Sequence, residues 1–353
     1  SVASRGLGDV YKRQLLKECF SVKKGDAVVI TGDTESNYQV IEATSQAAYA
    51  LGAKPMTVMM AAPRGVGKAG DIDMPLEALT GALKGSDIWI EYNNKWLLYS
   101  TPFDEAVASN RKMKYMCLVG MNPDLMIRNI GRVDNIALGH FLDKTEEITK
   151  KAKKVRITTP AGCDISFEHK PGRDFYTSNG IVGDGEWKMM AGQISWSPIF
   201  ESINGTIVFD GSVNPPIGLL KDKIKLTVEK GAITNIEGGN EAKELKNWLE
   251  SFDDPGMFKI AHLSYGFNPG AKLTGDVVED ERVWGSTEWG IGNVGPQLVC
   301  DIPGGIAAAS HTDGICMNST VWLDGELFLE DGEVVGPTKE MIQLAEKARK
   351  LIY

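Results

Sequence analysis

The sequence predicts an α/β protein: an N-terminal βαβ-type domain with a mostly parallel sheet, then an antiparallel-rich α+β domain. Two rhythms in the chain predict this. From Lys24 to about Lys153, apolar strand-like runs alternate with helical stretches, the pattern of βαβ units. After residue 154 the pattern changes to short strands separated by frequent Gly, Asn and Asp turns.

Each element follows in order. "DAVVITGD" (Asp26–Asp33) reads as a buried strand and "YQVIEATSQAAYALGA" as the helix after it. "KPMTVMMA", "MPLEALTGALKGS", "DIWIEYN", "PFDEAVASNRKM" and "KYMCLVG" repeat the alternation, and "KTEEITKKAKK" (Lys144–Lys154) is a charged helix end. Beyond it, "VRITTPAGCDISFEH", "GTIVFDG", "KIKLTVEKGAITNIEGG" and "STVWLDGELFLEDGEVV" read as strands and turns. One helix, "NEAKELKNWLESF", interrupts them, and "TKEMIQLAEKARKLI" closes the chain as a C-terminal helix. The expected division is an α/β domain over residues 15–154 and a second domain over 155–353.

Ser4–Gln14, "SRGLGDVYKRQ", needs separate treatment. It is too poor in apolar residues for a signal peptide and matches the translation of a common transposon sequencing adapter. Residues 1–14 are therefore read as an adapter-derived leader, not native sequence. "LLKECFSVKKGD" reads as the end of an entry helix, which places the native start upstream of it.

Composition excludes several classes. With 353 residues, 42% hydrophobic and 24% charged, the chain has the make-up of a globular protein of two domains. A net charge of −9, with no basic stripe interleaved with aromatics, argues against nucleic acid as a partner. No apolar run reaches the roughly 18 residues of a membrane span. Five scattered cysteines without a CxxC pair argue against a disulfide framework and a cysteine-rich zinc site, and fit a reducing, cytoplasmic location.

Three motifs tempt and fail. "PRGVGKAGD" has Ala62 and Ala69 where a Walker loop needs Gly and Ser or Thr, and reads as a solvated loop. "TGDTESN" sits where α/β folds bind ligands but lacks the GxGxxG series. Cys163 in "GCDIS" reads as a buried structural cysteine, and no GxSxG elbow occurs.

Only four histidines exist, so any histidine-ligated metal draws on His140, His169, His262 and His311. His140 reads as surface or satisfied core, and His169, among charges, as solvated. His311 and Asp313, in "AASHTDGICM", stand two residues apart; on a strand they share a face with Cα atoms roughly 6.6 Å apart. Gly314 reads as a turn that puts the pair at a strand end. His262, in "MFKIAHLSYGFNPGAK", ends a short apolar strand. Two histidines and a carboxylate form the facial triad of non-haem Fe(II) oxygenases, and the same ligands also serve zinc hydrolases. Spacing alone leaves open the plain alternative of two unrelated turn histidines and a capping aspartate.

"TPAGCDISFEH", "INGTIVFDGSV", "KLTVEKGAITNIEGGNEAKELKNWL", "DDPGMFKIAHLSYGFNPGA" and "SHTDG" occur in the order seen in one superfamily. It holds the aminopeptidase T-like metallopeptidases and the 2,5-dihydroxypyridine 5,6-dioxygenases. The chain resembles the dioxygenase branch in having histidine at 262, where the peptidases carry glutamate, and the His-x-Asp pair at 311 and 313. That resemblance implies an Fe(II) site of His262, His311 and Asp313 in a metal-binding catalytic domain, with O₂ and a small aromatic molecule as substrates. It also implies a homo-oligomer. Tyr99 stands where the pyridine-cleaving enzymes place a pocket histidine, and Met189 and Met190 where they place a histidine-tryptophan pair. Both departures put 2,5-dihydroxypyridine itself in doubt as substrate.

Tyr99 is then a candidate for proton transfer, and Met189, Met190, Trp196 and Tyr265 are candidate pocket residues or ordinary core. Glu288 stands about where the peptidases place a metal-binding histidine. It reads first as a surface carboxylate, then as a substrate contact, then as a further ligand. The reading that results is a mononuclear Fe(II) extradiol-type dioxygenase opening a hydroxylated N-heteroaromatic or aromatic ring. Its rivals are a metalloaminopeptidase loaded with Zn, Co or Mn, for which Glu281 and Glu288 would be the additional carboxylates, and a non-catalytic metal-binding homologue.

Overall fold

A computed structural model describes residues 10–352, so residues 1–9 of the expected leader and Tyr353 lie outside the described residues. A helix, Val10–Cys19, runs through the expected leader boundary at residue 14. In chain order the strands are β1 (Ala27–Asp33), β2 (Lys54–Met60), β3 (Ile88–Glu91), β4 (Lys114–Cys117), β5 (Lys154–Thr158), β6 (Asp164–Glu168) and β7 (Tyr176–Ser178). They continue with β8 (Trp187–Met189), β9 (Gln193–Trp196), β10 (Asn204–Phe209), β11 (Ser212–Asn214), β12 (Gly218–Leu219), β13 (Ile224–Glu229) and β14 (Ala232–Gly238). The last are β15 (Ile260–Gly266), β16 (Ser286–Val294), β17 (Ile306–Cys316), β18 (Thr320–Leu323), β19 (Glu326–Glu330) and β20 (Glu333–Val334).

The chain divides into two compact units. Of the described residues, the first holds 10–139, Ser178–Ala191 and 350–352; the second holds His140–Thr177 and Gly192–Arg349. The expected single boundary at 154 therefore differs from the structure. The change of unit falls inside the helix Asn135–Lys151, and a short excursion returns the chain to the first unit to add β8 beside β4.

The first unit is built on a five-stranded sheet of order β2-β1-β3-β4-β8, and its pairs are all parallel. β1 and β3 are covered on both faces, which is why their sequences are continuous apolar runs rather than alternations. Helices start on polar caps: Asn37 accepts from Gln39 N ahead of Tyr38–Ala50, and Ser100 accepts from Phe103 N ahead of Thr101–Ser109. The segment expected to be a solvated loop forms an ordered turn of 3₁₀ helix, Gly67–Asp73, tied down where Arg64 pairs with Asp73 at 2.7 Å.

The second unit holds two sheets. One has eight strands in the order β14-β13-β10-β6-β5-β18-β19-β20; the other has seven, β12-β11-β17-β16-β15-β9-β7. Strands of the first sheet alternate as a one-sided sheet must: in β13, Ile224, Leu226 and Val228 point in and Lys225 and Glu229 point out. Aromatic side chains join the two sheets, with Phe167 of β6 against Trp289 of β16 at 5.9 Å and Tyr265 of β15 against Phe328 of β19 at 5.8 Å. The helix Asn240–Glu250 buries Ala242, Leu245 and Leu249, and the closing helix Lys339–Ala348, capped by Thr338, buries Met341, Ala345 and Ala348.

Two smaller expectations change. His169 is buried, not solvated: its ring lies among Phe167, Phe175 and Trp196, and its Nδ1 is 2.7 Å from the Ala152 carbonyl oxygen. His140 is exposed on its helix, and Cys163 is buried, as are Cys19, Cys117 and Cys316. No described helix is long and apolar enough to cross a membrane.

Candidate metal centre

Three neighbouring strands of the seven-stranded sheet bring the site together. β15 pairs with β16 so that His262 lies opposite Gly290, and Ser264 opposite Glu288. β16 pairs with β17 so that Gly290 lies opposite Asp313, and Gly292 opposite His311. Because side chains alternate across a strand, His262, Ser264, Glu288, His311 and Asp313 share one face. That face also receives Ser195 of β9, paired with Ser264.

The strand geometry corrects two expectations. Gly314 does not turn the chain; it lies within β17, where its missing side chain leaves room for the Phe209 ring. His262 does not end its strand but stands third in the seven residues of β15. The His-x-Asp pair therefore sits in the body of a strand, which holds both side chains more firmly than a strand end would.

The donors converge. His262 Nε2 is 3.1 Å from His311 Nε2, His311 Nε2 is 3.0 Å from Asp313 Oδ1, and His262 Nε2 is 3.7 Å from the same oxygen. Donors bound at about 2.1 Å to one ion are about 3.0–3.4 Å apart on adjacent corners of an octahedron or tetrahedron, so the two shorter separations fit a common ion. Among the described residues these three form the group able to hold a metal. The far side of each imidazole is also occupied: His311 Nδ1 is 2.8 Å from the Asn293 carbonyl oxygen, and His262 Nδ1 is 3.4 Å from Glu288 Oε1. A histidine held at Nδ1 presents its Nε2 lone pair, the arrangement metal sites use.

Electrostatics match this donor set. Burial, reinforced by the neighbouring His311, lowers His262 to about 4, so it is neutral at ordinary pH. Burial opposes charge on His311, but Asp313 and the Asn293 carbonyl outweigh it and raise its pKa. Burial works against ionisation of Asp313 too, yet His311 and His262 hold it well below the usual carboxylate range. Burial first, then the charge of Asp313, pushes Glu281 up to about 7 and Glu288 well above its ordinary value.

Glu288 is the largest correction: expected on the surface, it is fully buried beside His262. Its strand is covered on both faces, which the local sequence "GSTEWGIG" does not reveal. Trp196 and Tyr265 are brought close to one another, ring centroids 4.8 Å apart, but the register puts them on the opposite face from His262, in the core between the sheets. They pack; they do not line the site. Tyr99, Met189 and Met190 belong to the first unit. Tyr99 is 42% exposed, edge-on to Phe103 and Trp187; Met189 is half-buried on β8; Met190 is fully buried.

Sequence reasoning missed Gln193, Asn293 and Gly290. Gln193 Nε2 donates to Glu281 Oε2 at 2.8 Å and to Glu288 Oε2 at 3.3 Å. Gly290 carried a legible signal, since glycine inside a strand pattern marks a close approach.

The family model for 2,5-dihydroxypyridine 5,6-dioxygenase matches residues 7–336. The chain belongs to the 2,5-dihydroxypyridine 5,6-dioxygenase family. The 2,5-dihydroxypyridine 5,6-dioxygenase of Pseudomonas putida KT2440 is 25% identical over 340 residues, covering 90% of this chain and 93% of its own. The solved structure of the 2,5-dihydroxypyridine dioxygenase from Pseudomonas putida KT2440 superposes with a TM-score of 0.77 at 22% identity, covering 96% of this chain and 99% of that one. AmpT from Thermus thermophilus shares the fold, with a TM-score of 0.67 at 13% identity over 94% of this chain and 99% of its own. The chain thus shares with both solved structures one mixed architecture of a parallel sheet and larger antiparallel sheets.

Proposed function

We propose that this family member is a mononuclear non-haem Fe(II) dioxygenase that opens the ring of a hydroxylated N-heteroaromatic or aromatic compound. The observation that carries the reading is the convergence of two histidines and one aspartate on one sheet face, in a chain of this family. Three protein donors leave coordination positions for a substrate oxygen and O₂. Bound there, iron supplies the redox path between an electron-rich ring and O₂.

The chain's own residues prepare that site. His262 is neutral and needs no proton removed before it donates. Asp313 brings the negative charge that balances the ion. Tyr99 is the proposed proton-transfer group by family resemblance, and with Met189 and Met190 it departs from the pattern associated with 2,5-dihydroxypyridine. The proposed substrate is therefore a different hydroxypyridine or a hydroxylated benzenoid ring. By the same resemblance the protein is proposed to act as a homo-oligomer, and its scattered cysteines support a cytoplasmic location.

The test is anaerobic reconstitution with Fe(II), then O₂ uptake against a panel of hydroxypyridines and dihydroxybenzoates. Uptake with at least one ring, and none in His311→Ala, is expected. Iron-loaded protein that consumes no O₂ across the panel overturns ring cleavage. Metal-dependent hydrolysis of aminoacyl substrates under argon would favour the peptidase rival instead. That rival needs carboxylates free to hold another ion, whereas Glu281 and Glu288 are engaged by Gln193.

A further inference from the structure

Two buried polar atoms at the back of the site stand 3.4 Å apart, and neither has a hydrogen-bond partner: His262 Nδ1 and Glu288 Oε1. A fully buried carboxyl group is costly, so its retention on a sheet face needs a reason. Its other oxygen is held by Gln193 Nε2 at 3.3 Å. That amide cannot turn round without loss, because Gln193 Oε1 accepts from Arg282 Nη2 at 3.1 Å. Arg282 is itself fixed by donating to the Val278 carbonyl oxygen at 2.6 Å and to Glu281 Oε2 at 3.2 Å. A chain of directed hydrogen bonds thus runs from Arg282 through Gln193 to Glu288, whose remaining oxygen, Oε1, stands 3.4 Å from His262 Nδ1.

His311 gives the comparison. Its Nδ1 donates to a backbone carbonyl, that of Asn293. On His262 no backbone oxygen does that work.

We infer that Glu288 is a positioning residue: it receives the Nδ1–H of His262, fixing the tautomer and ring orientation that leave Nε2 for the metal, and Gln193 holds it there. Glu288 is not a ligand of the same ion. Its Oε1 faces Nδ1, whereas the His311 and Asp313 donors meet the ring at Nε2, and the Glu288 carboxyl group is itself hydrogen-bonded to Asp313. The inference rests on the triad reading of the metal centre, not on the identity of the ring that is cleaved.

The experiment uses the full chain and Co(II) as probe, with affinity from chelator competition and geometry from the visible d–d absorption. Glu288→Gln keeps an accepting oxygen for Nδ1–H and is expected to keep the wild-type affinity and spectrum. Glu288→Ala is expected to weaken Co(II) binding by about 10–100-fold and to alter the spectrum, with the circular dichroism of the metal-free protein unchanged. If the alanine variant does not fold, Glu288→Met, of similar length and without an oxygen acceptor, makes the same comparison. Wild-type affinity and spectrum in the variants without an acceptor overturn the inference. So does a glutamine variant as impaired as they are, because that outcome makes the charge or a direct bond essential. His311→Ala separates the two failures: if it also binds Co(II) normally, the triad reading has failed and not only the role of Glu288.

Discussion

A methyl group on Gly290 would stand 2.5 Å from His262 Nε2, inside the space the imidazole occupies. The neighbouring strands β15 and β17 pair with β16 on both sides, so the backbone cannot retreat and the ring must move. Overpacking of this kind costs about 1–3 kcal/mol. Where the displaced group is a ligand, that corresponds to about tenfold to a hundredfold in metal affinity. Gly290→Ala is expected to fold and to lose Co(II) affinity on that scale in a chelator titration; unchanged affinity would mean that His262 is not a ligand. At this scale the sequence was most legible where a residue type is rare. Four histidines made the choice of His262 and His311 tractable, and an i, i+2 aspartate completed the set. Glu288 was misread because a carboxylate in a polar-looking segment is ordinarily solvated, and only register against β15 reveals its burial.

Among the elements, β3 carries a second buried carboxylate of a different kind. Glu91, at its C-terminal end, accepts hydrogen bonds from Leu97 N and Tyr115 Oη and has no exposure. Burial, with Asp33 adding to it, pushes Glu91 up to about 7 from an ordinary 4.5. The folded state then binds the proton more tightly than the unfolded state does. Its contribution to stability is fully present below the unfolded value and is lost as pH rises through about 7, on the order of 3 kcal/mol in all. Glu91→Gln removes this dependence. The urea midpoint of the wild type should fall relative to the variant between pH 5 and pH 8, and parallel midpoints would show that Glu91 titrates normally. Strands such as β1 and β3 were readable because burial on both faces leaves an unbroken apolar run. The extent of β17 was not, because Gly314 looks like a turn until Phe209 is seen to need its space.

Over the whole molecule, the alternation of strands and helices, and then its loss, was enough to predict a parallel sheet followed by antiparallel ones. The return of Ser178–Ala191 to the first unit was beyond reach. A three-residue strand such as β8 is too short to carry a periodic pattern, and its partner β4 lies some seventy residues earlier. The triad has the opposite organisation: His262 comes from β15 and His311 and Asp313 from β17, the two strands that flank β16 in one sheet of the second unit. A metal held there therefore binds the native arrangement of β15, β16 and β17 and has no equivalent site once those strands separate. Free metal at a hundred times its dissociation constant should add about 2.7 kcal/mol to the stability of the unit that holds it. For a domain of this size that is a rise of about 5–10 °C in unfolding temperature. Calorimetry with Co(II) under argon should show the rise in the wild type and none in His311→Ala. An equal rise in both proteins would place the metal away from this sheet face, since removing one of three donors cannot leave such a site at full strength.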